Sequence, residues 1–297
     1  MKRVSFAEFG GPDVLHLEGA EEPHAGPGQI RIAVRAAGVN PVDWRIREGQ
    51  FQKVRPVVLP AGVGQDASGV VDEVGEGVEG VEVGDHVFGR GSSTYAEFAV
   101  LSAWARMPEG PTFEEAAGYP SVVETALRII RQAGVQPGQT LLVSGASGGV
   151  GSAVLQIARD RGITAIGTAG AANQDYLRSL GALATTYGEG WVERVRQLGH
   201  VDAALDLAGS GVIRELVELT GNPQKVISIA DLGAPEHGVR YSGVTGNVPE
   251  ALAEAVGLIA RGKLHIPVEK SYPLAEAAAA HTDSQAGHTR GRRVIVA

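Results

Sequence analysis

Cysteine is absent from all 297 residues of this chain. That single absence excludes disulfides, thiolate zinc sites, iron–sulfur ligation and a cysteine nucleophile together. A basic surplus is missing as well: 26 Lys and Arg against 34 Asp and Glu leave a net charge of −8. This balance counts against a broad nucleic-acid surface or a polybasic membrane anchor. Long apolar runs are also lacking, since no segment approaches the ~18 uninterrupted apolar residues of a membrane span. The N-terminus opens Met1-Lys2-Arg3, but Glu8 and Gly10-Gly11-Pro12 interrupt it before a signal-peptide apolar stretch forms. The expectation is a soluble, cytoplasmic protein with neither a nucleic-acid nor a membrane partner.

Glycine, by contrast, is in excess: 42 of 297 residues, about 14%, or twice the usual share. No collagen-like period accompanies it, so the surplus reads as tight turns and close backbone–ligand approaches. Apolar residues at 43% and charged residues at 20% are ordinary globular values. The length suits two domains or one large one.

The first ~110 residues read as strands with short punctuation. Ile30-Arg31-Ile32-Ala33-Val34 alternates apolar and polar, and Gly69 to Val74 is a second candidate strand. Gly75, Gly77, Gly80 and Gly84 follow among valines and acids, a pattern that suits an antiparallel barrel. Asn40-Pro41 looks like a helix cap followed by its first residue. Beyond about residue 120 the rhythm changes. Strand-length apolar runs at 140–144, 163–167, 201–207 and 225–229 alternate with helical patterns at 152–161 and 212–220. Such alternation implies a parallel sheet covered on both faces. A further helix from Pro249 to Ala260, an alanine-rich stretch and a last strand, Arg293 to Val296, close the chain.

The most informative stretch runs from Leu141 to Ser152, with Gly145-Ala146-Ser147-Gly148-Gly149-Val150-Gly151 between an apolar strand and a helical pattern. That setting is what a dinucleotide site requires. Gly148 and Gly149 allow the backbone to approach a pyrophosphate, and Gly151 allows the helix to pack closely on the strand. The helix N-terminus then offers N–H groups and a positive dipole to phosphate. The same residues satisfy G-x-S-x-G, the nucleophile elbow of serine hydrolases, with Ser147 as nucleophile and His265, His281 and His288 available later. A merely structural turn is the third reading. The elbow, however, explains neither Val150-Gly151 nor the barrel-like first third.

In a NAD site an acid ~20 residues past the glycine turn binds the ribose 2′-hydroxyl. Here the second strand leads into Gly170-Ala171-Ala172-Asn173 with no acid, which favours NADP(H). Asn173, Gln174 and Tyr187 are the nearby polar candidates; no Arg or Lys precedes Arg178.

Taken in order, these segments resemble one family, the medium-chain dehydrogenase/reductases, and within it the zinc-independent NADPH:quinone oxidoreductase branch. The resemblance rests on Ala36 to Asp43, Gly69 through Val87, Tyr95-Ala96-Glu97, Val135 through Gly151, Val201 to Asp206 and Gly287 to Gly291. It implies an α/β protein in which a GroES-like, partly open β-barrel catalytic domain joins a doubly wound Rossmann domain. The boundaries expected are 1–120 and 263–297 for the catalytic domain and 121–262 for the cofactor domain.

Relatives with catalytic zinc use cysteine and histidine, whereas this chain has no cysteine and places Gln65 where they carry a histidine. Without zinc, hydride transfer needs an acceptor that is already electrophilic, such as a quinone or an α,β-unsaturated carbonyl. The resemblance sets Asn40 beside nicotinamide or substrate, and Thr125 against the cofactor. It sets Gly170 and Tyr187 at the adenosine end, Ala208 and Gly209 near the nicotinamide ribose, and Ile229, Ala230 and Asp231 on the loop after the fifth strand.

Three departures matter. Arg45 stands where an aromatic residue is common, the usual 2′-phosphate lysine has no counterpart, and Glu124 replaces an apolar residue. A Glu124 buried in the cleft would have a raised pKa and could donate a proton to the reduced acceptor; a solvated or arginine-paired glutamate is the alternative. Arg290, Arg292 and Arg293 could reach a phosphate or form a solvated terminal charge cluster. A homodimer through the edge segment 238–242 is expected. A non-catalytic NADPH-binding protein is the remaining alternative.

Overall fold

A computed structural model describes residues 1–54, 56–243 and 246–297 and divides the chain into two compact units. The first comprises Met1–Ser121, Asn247–Arg261 and Ile266–Ala297, and the second Val122–Gly246 and Gly262–His265.

The first unit opens with β1 (Lys2–Phe6), β2 (His16–Gly19), β3 (Ile30–Gly38), β4 (Ala61–Gly62), β5 (Asp66–Val74), β6 (His86–Ser92) and β7 (Phe98–Arg106). The second carries β8 (Thr140–Ser144), β9 (Thr164–Ala169), β10 (Leu183–Thr186), β11 (Ala203–Asp206), β12 (Val226–Ser228) and β13 (Arg240–Tyr241). β14 (Val268–Pro273) and β15 (Arg292–Val296) return to the first. The helices are α1 (Pro41–Arg47), α2 (Phe113–Ala117), α3 (Pro120–Ala133), α4 (Gly149–Asp160), α5 (Gln174–Ser179), α6 (Trp191–Leu198), α7 (Ile213–Thr220), α8 (Val248–Ala260) and α9 (Ala277–Ala286). None is long and apolar enough to cross a membrane.

In the first unit the sheet order is β14-β15-β3-β5-β6-β7, and β3 also pairs with β7. This second pairing closes β3, β5, β6 and β7 on themselves. Alternation explains the inside: Ile30, Ile32 and Val34 of β3 are buried with Val71, Val87, Ala99 and Leu101. The β3–β5 register slips between Arg31 and Ile32 and again between Val34 and Ala36. Such bulges bend a strand around a barrel. Because β15 pairs with β3 at Val294↔Gly38, the chain's last strand comes beside the residues just before α1.

In the second unit every strand pairs in parallel, in the order β10-β9-β8-β11-β12-β13. Leu142, Ile166, Ala204 and Val226 form its core with Val195 of α6 and with Ile213 and Leu216 of α7. The order reverses on either side of β8, the switch point at which such sheets bind ligands. The α/β class with a GroES-like unit and a Rossmann-type unit therefore holds.

The boundaries differ at three places: residue 121 joins the first unit, 263–265 join the second, and the largest difference is at 247–261. Residues 247–261, expected in the cofactor domain, belong to the first unit, because α8 buries Ala251, Leu252, Ala255 and Leu258 and packs against β7. The sequence shows that this helix has an apolar face; it does not show which sheet that face covers.

Candidate functional site

In the second unit the sequence-predicted residues converge on the C-terminal ends of the strands. Gly145 leaves β8 with φ +81°, and a Cβ there would lie 3.2 Å from Ala208 on the next loop. A Cβ on Gly151 would come within 2.5 Å of the Gly145 carbonyl oxygen, so only glycine allows α4 to start this close to the turn. Gly148 has open space instead, with nothing nearer than 3.8 Å to a Cβ. No side chain caps α4, whose N-cap is Gly148. With no side-chain cap, its first N–H groups and dipole are available to an anion, and this fits a pyrophosphate. Ala146, Ser147, Gly149 and Val150 complete the turn.

Two neighbouring loops are built by a residue that sequence reasoning did not single out. Asp206, wholly buried at the end of β11, accepts hydrogen bonds from the N–H groups of Ala208 (3.3 Å) and Gly209 (3.0 Å). Its other oxygen accepts from Ser228 Oγ at 2.8 Å. That hydroxyl in turn accepts from the N–H groups of Ala230 (3.1 Å) and Asp231 (2.9 Å). Ile229 donates its own N–H to the Asp206 carbonyl. One carboxylate therefore shapes both loops, and a Cβ on Gly209 would stand 3.1 Å from Ala230. An Asp followed by small residues at a strand end was the available signal.

At the other side of β8, β9 ends at Ala169 and no acid follows before Asp175. Gln174 donates to the carbonyls of Ala169 (3.0 Å) and Thr185 (3.1 Å), tying the ends of β9 and β10 together. Tyr187 is 53% exposed with its hydroxyl 3.4 Å from where a Gly170 Cβ would be. Asn173, half-buried, sits on the same turn.

Thr125 is half-buried on α3 and lies 3.4 Å from Arg128 Nη2. Glu124, expected as a proton donor, is buried but otherwise engaged. Arg128 Nε donates to it at 2.9 Å and the Gly246 N–H at 2.7 Å. Arg128 also donates to the Ser242 carbonyl (2.9 Å) and hydroxyl. Glu124 is thus a clamp between α3 and the segment after β13, and the proton-donor expectation is corrected accordingly. Burial did occur, but with a guanidinium partner.

The first unit holds a different construction, a buried polar cluster around Asn40. The Asn40 N–H donates to Asp43 Oδ2 at 2.8 Å, so this carboxylate caps the start of α1. Asn40 is the N-cap residue of α1, as expected, in a reciprocal capping box with Asp43, and its side chain has further partners. Its Nδ2 donates to Asp66 Oδ2 (3.0 Å) and its Oδ1 accepts from Arg292 Nη2 (3.0 Å). Asp66 also accepts from the Ser121 hydroxyl (2.6 Å) and N–H (3.1 Å), and Tyr95 donates to Asp43 at 3.3 Å. Burial pushes the Asp43 carboxyl up to about 7; Asp66 adds to this, and the Asn40 N–H, Gln65 and Arg292 oppose it. Desolvation likewise lowers Arg292, against the pull of Asp66 and Asp43.

Arg45 stays half-buried over the Trp44 ring, its guanidinium carbon 5.3 Å from the centroid. Arg290 lies exposed in the first unit, its N–H on Glu269.

A catalytic zinc does not fit this donor set. Gln65 accepts from Arg90 at 2.7 Å, so a cation already faces that position, and there is no cysteine. Among the described residues no group of three His, Asp or Glu is arranged to hold a metal. The hydrolase elbow fares no better. Among the described non-glycine residues only Ser93 and His288 have positive φ, so Ser147 lacks the backbone strain of such a nucleophile. His281 is buried in the first unit against Arg47 at 3.2 Å.

Comparison with known proteins agrees with this geometry. Residues 26–114 match the family described as alcohol dehydrogenase GroES-like domain, and residues 180–295 match zinc-binding dehydrogenase. The chain is 30% identical to a quinone oxidoreductase of Pseudomonas aeruginosa, over 99% of both chains. It is 35% identical to 2-methylene-furan-3-one reductase of Solanum lycopersicum, over 74% of this chain and 62% of that one. A solved structure of Escherichia coli quinone oxidoreductase complexed with NADPH superposes with a TM-score of 0.87 at 25% identity, covering all of both chains. The chain is also 37% identical to part of a pikromycin polyketide synthase component of Streptomyces venezuelae, spanning 7% of that protein's length.

Proposed function

Since this chain belongs to the quinone oxidoreductase family of the medium-chain dehydrogenase/reductases, we propose that it uses NADPH to reduce quinones or α,β-unsaturated carbonyls, with the residues gathered above in named roles. The observation that carries this reading is the backbone cradle of Gly145 to Gly151, which has open space at Gly148 and enforced close packing at Gly151.

In this reading Ala146 to Gly151 hold the pyrophosphate on the α4 N-terminus. Gly170, Asn173 and Tyr187 take the adenosine end, where the missing acid leaves room for a 2′-phosphate. Thr125, Ala208, Gly209, Ile229, Ala230 and Asp231 line the nicotinamide end, with Asp206 and Ser228 shaping the two loops. Arg290 is a further phosphate contact. Bound NADPH supplies the hydride. Asn40 meets the acceptor or the nicotinamide, Arg45 shapes the acceptor pocket and its charge, and the proton comes from water. No metal is needed, because conjugation carries the incoming charge onto the acceptor oxygen.

The same proposal includes a homodimer and a cytoplasmic setting. β13 falls within the expected segment 238–242 and has only β12 as its described neighbour, leaving a strand edge for a second copy. The test is NADPH consumption across quinones, enones and enoyl thioesters, with NADH as comparison. Oxidation with at least one acceptor class and a preference for NADPH are expected. Tight NADPH binding without turnover on any acceptor would instead make it a cofactor-binding protein.

A further inference from the structure

The Asn40 carboxamide is held by two partners that fix which way round it sits. Arg292 has only donors to give, so the atom facing it must be Oδ1. Asp66, already accepting from the Ser121 hydroxyl and N–H, faces Nδ2. The assignment of the amide's two ends is therefore set by chemistry and not by choice. The Asn40 backbone is equally committed, its N–H to Asp43 Oδ2 at 2.8 Å and its carbonyl to the Asp43 N–H at 2.9 Å. Of the donors on Asn40, one Nδ2 hydrogen is left.

We propose that Arg292 and Asp66 are positioning residues for the reductase: they lock the Asn40 carboxamide so that its second Nδ2 hydrogen is a fixed donor for the carbonyl oxygen of the acceptor. This rests on the reading that Asn40 meets the acceptor. As hydride arrives, that oxygen gains negative charge, and a donor already aimed at it needs no reorganisation. Arg292 and Asp66 never touch substrate; they act through Asn40. Arg292 comes from β15 at the far end of the chain, brought beside β3 by the pairing of Val294 with Gly38. It is 5% exposed, as expected of an internal brace. The arrangement also defines the acceptor class: it must carry an oxygen that becomes more negative in the reaction.

The test compares Asn40→Ala, Arg292→Met, Arg292→Lys and the double variant Asn40→Ala/Arg292→Met. kcat and KM are measured separately with one quinone, and NADPH affinity is measured without acceptor. Arg292→Met should lower kcat about tenfold or more while NADPH affinity stays within about twofold. Arg292→Lys, which keeps a cationic donor in the buried cluster, should recover part of that loss, and it carries the test if the Met variant does not fold. The double variant should turn over no more slowly than Asn40→Ala alone, because the brace has nothing left to hold.

Losses that multiply in the double variant, or a kcat unchanged in Arg292→Met while Asn40→Ala is impaired, would overturn the brace. So would an Asn40→Ala variant as active as the unaltered protein. Failure of the functional reading looks different: the unaltered protein would oxidise no NADPH with any acceptor.

Discussion

The two units build their polar sites by opposite means. In the second, the cradle is backbone: glycines at 145, 148 and 151, the bare N-terminus of α4, and loop N–H groups gathered by Asp206 and Ser228. In the first, the site is side chain: Asn40, Asp43, Asp66, Tyr95, Ser121 and Arg292, buried and bonded to one another. The backbone cradle tolerates no added volume at Gly151 and offers N–H groups, not side-chain charge, to its ligand. Side-chain sites tolerate small changes of shape yet respond to every change of charge or proton.

That contrast can be broken most severely at Gly151. Gly151→Val puts atoms where even a Cβ comes within 2.5 Å of a carbonyl oxygen. It should cost about 3 kcal/mol or more of stability and abolish NADPH binding, as read by calorimetry and thermal unfolding. Asp206→Ala is the next largest. It leaves the Ala208 and Gly209 N–H groups and the Ser228 hydroxyl without their acceptor, so stability should fall by about 2–3 kcal/mol and NADPH binding should weaken.

The first unit should show its difference in pH dependence. With Asp43 raised to about 7, the folded state holds a proton that the unfolded state has released. Stability from this group therefore falls as pH rises from about 4 through 7. His281 works the other way: burial, helped by Arg47, lowers it to about 3, so its contribution rises with pH between about 3 and 6.5. Because the two oppose, the comparison must be between variants. Asp43→Asn should gain about 2 kcal/mol on the original protein between pH 5 and pH 8, read from denaturant unfolding at both values. An identical pH slope in the two proteins would remove Asp43 from the account. The smallest effect is at the adenosine end, where Ala171→Asp should shift preference towards NADH by about tenfold, through repulsion of a 2′-phosphate.

Legibility followed the same division. The 140–144 run is β8 residue for residue, and the glycine spacing located the cradle, because a strand, a turn and a helix N-terminus are contiguous in sequence. Asn40 was singled out, but its partners at 66 and 292 are brought to it only by the pairing of β3 with β5 and β15. Asn-Pro correctly marked it as the helix cap, but not that the same side chain also reaches Asp66 and Arg292. Glu124 shows the limit from the other side. Both burial and an arginine partner were legible as options; what the sequence did not show is that the two come together, with Arg128 one turn later reaching a carboxylate that also holds the Gly246 N–H. The placement of α8 was lost for a simpler reason, since an apolar helix face does not say which sheet it covers.

The most direct test of the central claim is steady-state NADPH oxidation by the purified protein with a quinone, with and without a strong metal chelator. Turnover that the chelator leaves unchanged is expected, because the cradle and the Asn40 cluster supply the protein's groups. Oxidation that the chelator abolishes, or none with any quinone or enone, would contradict it.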